Sequence, residues 1–156
     1  MALRLGAFSA ELAAVVSGWA RTDEETLMWC GAGSAPVPAA QVNAWACEDG
    51  VEQFGLYRDE RLVGFGELWV DDEEAEVEVA RLIVDPGVRR QGLGRHLAAE
   101  LASLARPRHP RALNLSGRIS RSTGTSASPS FMSGLASPHN ACRYSMRGWG
   151  RMLLTA

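Results

Sequence analysis

The chain has 156 residues, 46% hydrophobic and 22% charged, with a net charge of −2; these values fit one soluble globular domain and exclude disordered, collagen-like and fibrous classes. No apolar run approaches the roughly 20 residues of a membrane helix, and no signal-peptide pattern follows Met1, so a cytoplasmic location with no membrane partner is expected. The small net charge conceals two unlike halves: residues 1–80 hold 4 Arg against 16 Asp and Glu, whereas residues 81–156 hold 12 Arg against Asp85 and Glu100, giving −12 and +10.

Those arginines account for all 16 basic residues, so lysine is absent, which reads as the codon bias of a GC-rich bacterial genome. The basic half fits either an anionic ligand or nucleic acid, or simply neutralises the acidic half within one fold. Cys30, Cys47 and Cys142 are odd in number and lack CxxC spacing, which fits neither a disulfide framework nor a zinc site, and no metal is expected.

In chain order, Leu3, Leu5 and Ala7 alternate as a strand, and Ser9 stands as an N-cap before Leu12, Val15, Val16 and Trp19 at helical spacing. Thr22 and Glu25 form a capping box for a second short helix that stops near Gly31. After a loop over residues 31–38, one or two helical turns fall at 41–47. Residues 51–57 and 61–70 flank Asp59-Glu60 as a hairpin, and an acidic turn at 71–74 leads into a strand over 75–84. Its last residues, Leu82, Ile83 and Val84, are continuously apolar, as in a buried central strand. From Gly92 a helix carries Leu93, Leu97, Leu101 and Leu104 until Pro107, and residues 112–115 are apolar enough for another strand. Trp19, Trp29 and Trp45 are read as core packing, His96 as a solvated helix residue, and Arg106, Arg108 and Arg111 as helix-end solvation.

The segment from Val84 through Asp85-Pro86 to Arg95 places glycines between a strand and a helix, where backbone N–H groups and a helix N-terminus both attract an anion. A Walker loop is excluded because there is no lysine. A dinucleotide fingerprint is excluded because Leu97 occupies the third glycine position. The remaining pattern, Arg89-x-x-Gly92-x-Gly94, resembles the Arg/Gln-x-x-Gly-x-Gly/Ala motif of the GNAT superfamily of N-acetyltransferases, and the order of elements resembles that family over most of residues 1–115.

The resemblance implies an α/β fold: a mixed, mostly antiparallel twisted sheet with helices on both faces and a splayed central strand ending at Val84. It implies acetyl-coenzyme A as cosubstrate, with Leu82, Ile83 and Val84 along the pantetheine and Arg89, Arg90, Gln91, Gly92, Leu93, Gly94 and Arg95 at the phosphates. The activity implied is N-acetylation of a primary amine by direct attack in a ternary complex. A lysine-like amine of pKa about 10.4 is only about 0.04% neutral at pH 7, a handicap of roughly 4.6 kcal/mol, so a base is useful. Glu78 lies eleven residues before Arg89, the offset of a strand glutamate in histone-acetyltransferase-like members. Alternation places it on one face with Ala80, Leu82 and Val84. Glu67 is the second candidate, on one face with Val63, Phe65 and Trp69.

The resemblance stops at residues 116–138, where eight Ser, two Thr, three Gly and two Pro replace the family's helix and its Tyr-Glu-x-x-Gly-Phe segment. Divergence into an irregular loop and a displaced reading frame both account for that stretch. Tyr144 is a substitute acid on position alone. A single domain over 1–156, acting as monomer or homodimer, is the expected organisation. The acceptor is not named by any motif, although the acidic first half favours a cation. A non-catalytic acyl-coenzyme A-binding module and, less favoured, a nucleic-acid-binding protein are the alternatives.

Overall fold

A computed structural model describes residues 2–108 and a short strand at Leu113–Asn114. The expectations for residues 116–138, and those for Arg111, Cys142 and Tyr144, lie outside the described residues.

Among the described residues five strands stand in the order β1 (Leu3–Ala7), β2 (Val51–Arg58), β3 (Arg61–Asp71), β4 (Glu76–Val84) and β5 (Leu113–Asn114). The first four pair antiparallel and β5 pairs parallel with β4. Asp59 and Glu60 both take positive φ, 47° and 68°, the mirror-image turn whose twist matches that of the strands it joins. The acidic turn closes with Ala75 at φ 53°, so β4 begins at Glu76, one residue later than its sequence pattern indicates.

The first helix is shorter than its apolar spacing predicts. A 3₁₀ turn at Ala10–Leu12 precedes α1 (Ala13–Ser17), and Ser9 makes no side-chain cap bond. The capping box is present at α2 (Asp23–Cys30): Thr22 Oγ1 accepts from Glu25 N at 3.1 Å, while Glu25 Oε2 accepts from Arg21 N at 2.7 Å. Then α3 (Ala39–Trp45) begins two residues before the expected turns, and α4 (Leu93–Ala105) follows β4.

Helices α1 to α3 cover one sheet face, where Val16, Trp19, Trp29, Val42, Trp45, Phe65 and Ile83 form one core. On the other face α4 lays Leu93, Leu97, Leu101 and Ala105 against Leu56, Leu68, Val77 and Val79. Leu104 is exposed and Ala105 takes its place in the buried stripe, because the 3.6-residue period carries the inward face from 101 to 105. Among the described residues no helix is long and apolar enough to cross a membrane.

Two bulges change which side chains share a face. In β3, Leu62 and Gly64 pair with the adjacent Tyr57 and Leu56, so Val63 is an extra residue. It packs in the α4 core rather than beside Glu67. In β4, Phe65 pairs with Ile83 but Glu67 with Ala80, leaving Gly66 alone opposite Arg81 and Leu82. A one-residue slip turns every later side chain to the other face. Glu78 and Ala80 therefore share a face with Glu67, Trp69 and Ile83, while Leu82 and Val84, expected beside Glu78, pack toward α4. Gly66 leaves room for this crossing: a Cβ on it would meet Leu82 Cδ2 at 2.5 Å and Leu101 Cδ1 at 2.8 Å, so those side chains would have to shift.

Candidate active site

The described part of β5 reaches only Val77 and Glu78. Beyond them, over residues 79–84, no strand lies beside the outer edge of β4 among the described residues. The chain leaves that edge at Val84, where Asp85 Oδ1 accepts from Gly87 N at 2.9 Å and fixes a 3₁₀ turn at Pro86–Val88. Arg89 is extended, Arg90 takes φ 65°, and Gly92, at φ 76°, is the N-cap of α4.

Across the start of α4, His96 N donates to Gly92 O at 3.0 Å; the N–H groups of Leu93, Gly94 and Arg95 precede that bond and point out of the helix end. They share it with the positive end of the helix dipole. A Cβ at Gly92 would meet nothing within 4 Å, so the loop is open on that side and a side chain would fill it. Backbone donors, a left-handed glycine and open space together fit a bound pyrophosphate. Arg90, Gln91 and Arg95 are exposed at the rim, and Arg58 Nη2 donates to Gln91 Oε1 at 3.0 Å.

The Arg89 side chain turns away from that open side. Its Nε donates to Val84 O at 3.2 Å, Nη1 to Glu25 Oε1 at 2.8 Å and Nη2 to Trp19 O at 3.0 Å. One planar fork thus ties the end of β4, helix α2 and the turn after α1 to the loop. The Glu25 carboxyl is held below its ordinary value of 4.5 first by the Arg21 N–H bond and then by the Arg89 guanidinium, against the opposing pull of burial. A lowered carboxylate pKa contributes stability above its unfolded value and loses it as pH falls through the folded one. Glu25→Gln is therefore expected to cost about 0.5–1 kcal/mol at pH 7. The difference in melting temperature from wild type should shrink below pH 4.5, and a difference that persists there would contradict this clamp.

Both candidate bases lie on strands. Glu78 is 6% exposed and pairs across the sheet with Trp69. Glu67 is fully buried, and both its oxygens are engaged: Oε1 accepts from Gln53 Nε2 at 3.1 Å, and Oε2 from Trp69 Nε1 at 2.7 Å and Arg81 Nη1 at 3.0 Å. Burial pushes its pKa up, against the Arg81 charge and the three hydrogen-bond donors.

Arg81 is the residue that sequence reasoning missed. Its guanidinium lies between two indoles, 4.2 Å from the ring centre of Trp45 and 4.8 Å from that of Trp69. It reaches Glu67 and, through Nη2 at 3.3 Å, Glu48. Its carbonyl accepts from Trp29 Nε1 at 2.9 Å. The available signal was a lone charge in the otherwise apolar run 79–84, since an ion in a buried strand requires a partner. Arg81 adopts φ 47°, a left-handed conformation that costs a non-glycine residue about 1–3 kcal/mol and persists only where its surroundings impose it.

The sequence matches the family model for the acetyltransferase (GNAT) family over residues 17–118. No curated protein matches it. Among solved structures, the fold is similar to the ribosomal-protein-S18-alanine N-acetyltransferase from Escherichia coli, at 18% identity and TM-score 0.52, covering 69% of this chain and 61% of that one. This chain thus spans less than two thirds of that enzyme. A GNAT family acetyltransferase from Staphylococcus aureus is similar at 13% identity and TM-score 0.54, covering 85% of this chain and 100% of that one. AAC(6')-Ib in complex with ribostamycin and coenzyme A is similar at 14% identity and TM-score 0.56, covering 72% of this chain and 70% of that one.

Proposed function

This chain belongs to the GNAT family of acetyltransferases, and on that premise we propose that it transfers the acetyl group of acetyl-coenzyme A directly to a primary amine bound beside it. The observation that carries this reading is the loop that leaves β4 at Val84 and reaches a left-handed Gly92 opening helix α4, whose first amides point outward beside open space. The amides of Leu93, Gly94 and Arg95 hold the pyrophosphate with the loop backbone at Arg90, Gln91 and Gly92, and Arg90 and Arg95 add charge at the rim. The backbone of Leu82, Ile83 and Val84 offers strand-like hydrogen bonds to the pantetheine amides. Arg89 contributes through its clamp on the loop rather than as a phosphate ligand.

Acetyl-coenzyme A supplies an activated acyl carbon: the amine nitrogen bonds to it as its carbon–sulfur bond breaks, and the thiolate leaves to take up a proton. Glu78 removes the proton that an ammonium acceptor carries at neutral pH. Its face of β4, shared with Trp69 and Ala80, adjoins the edge where the thioester would lie. Glu67 is poorly suited to this step because its two oxygens already receive three hydrogen bonds in a fully buried position. It serves as the counter-ion of Arg81.

The similar structures are named for a protein alanine acceptor and for a bound ribostamycin, so the acceptor panel spans peptides with free N-termini, lysine peptides, polyamines and aminoglycosides. Thiol release should depend on at least one of these amines and leave it N-acetylated. Tight coenzyme binding with no amine-dependent thiol release across the panel would replace this reading with a non-catalytic acyl-coenzyme A-binding module.

A further inference from the structure

The left-handed turn in β4 falls on an arginine whose guanidinium is engaged through both Nη atoms. Two carboxylates, Glu67 and Glu48, receive its Nη atoms. Two indoles sandwich its guanidinium, and a third, Trp29, binds its carbonyl. The side chain is 3% exposed, so an acceptor does not reach it. Opposite, Gly66 lets the extra residue come close enough for Leu82 to pass over the strand. Along β4, the last pairing with described β5 is at Glu78, the bulge begins three residues later, and the anion loop begins after Val84.

From this arrangement we infer that Arg81 is a positioning residue: its buried clamp holds the β4 bulge, and the bulge sets the course of the edge that presents the thioester to the acceptor. The inference rests on the acetyltransferase reading for its kinetic consequence, but its structural half stands apart from that reading. The phosphate loop lies beyond the bulge and is held separately by Arg89. Loss of the clamp therefore shifts the reacting end of the cosubstrate while leaving its anchored end in place.

Arg81→Met alone leaves Glu67 buried without its counter-ion, which destabilises the protein whatever else Arg81 does. The informative variant is Arg81→Met/Glu67→Gln, which removes both charges, joined by Arg81→Lys, which keeps the charge but lacks the planar fork that stacks and bridges two carboxylates. In each folded variant, coenzyme A affinity should stay within about three-fold of wild type while kcat falls at least about ten-fold. Amide hydrogen exchange over residues 80–84 of the unliganded protein should accelerate. Wild-type kcat in a folded variant overturns the inference. So does wild-type exchange over those residues, and that measurement holds even if no amine is ever acetylated, the outcome that would remove the acetyltransferase reading instead.

Discussion

Replacing Gly92 by valine is expected to weaken acetyl-coenzyme A binding by about 10²-fold, because a β-branched residue at that φ is strained by about 1–3 kcal/mol and its Cβ also projects into the binding side of the loop. The Gly92 φ is 76°, and no atom stands within 4 Å of the place a Cβ would take. The substitution therefore disturbs no packing within the described protein and acts where the phosphate oxygens are proposed to approach the backbone. Gly33→Val is the matched control, since a Cβ there also meets nothing within 4 Å and no left-handed φ is involved. Calorimetric titration should show affinity kept in the control and largely lost in Gly92→Val. Equal affinity in the two would remove this loop from the site.

Glu78→Gln should lower turnover by about 10² to 10⁴ with little change in coenzyme affinity, the signature of a lost proton acceptor rather than a lost binding contact. The acidic limb of the pH profile of kcat/KM for the amine should disappear with it. Glu67→Gln should behave differently. It removes the charge that compensates Arg81 at 3.0 Å in a buried pair, so its main effect is a loss of stability of up to about 3–5 kcal/mol. An acidic limb that survives in Glu78→Gln would place the base elsewhere.

What the sequence made legible was whatever depends on local chemistry. The Thr22–Glu25 box, the Asp59-Glu60 turn, the β2 to β4 meander and the loop leading into α4 are each written in a few adjacent residues. What was not legible depended on counting across the sheet. Strict alternation put Val63 beside Glu67 and Leu82 with Val84 beside Glu78, and one extra residue in each of β3 and β4 reversed those assignments. A bulge in a strand without glycine at the bulged residue leaves almost no local trace. Arg81 escaped notice for a related reason, since its partners Glu48, Glu67, Trp45 and Trp69 come from the end of α3, the turn after it and β3.

The charge asymmetry acquires a structural reading through the same contacts. Arg81 meets Glu48 and Glu67, Arg89 meets Glu25, and Arg108 meets Glu52. In each pair an arginine of the basic half neutralises an acid of the acidic half. These pairings account for several of the charges that a nucleic-acid surface would otherwise need. Arg90 and Arg95 remain exposed at the loop, where the cosubstrate's phosphates are proposed to lie.

The measurement that bears most directly on the central claim is a calorimetric titration of the full wild-type chain with acetyl-coenzyme A. A saturable complex of one coenzyme per chain is expected, with binding displaced by free coenzyme A. A folded protein that shows no saturable binding of either compound would contradict it.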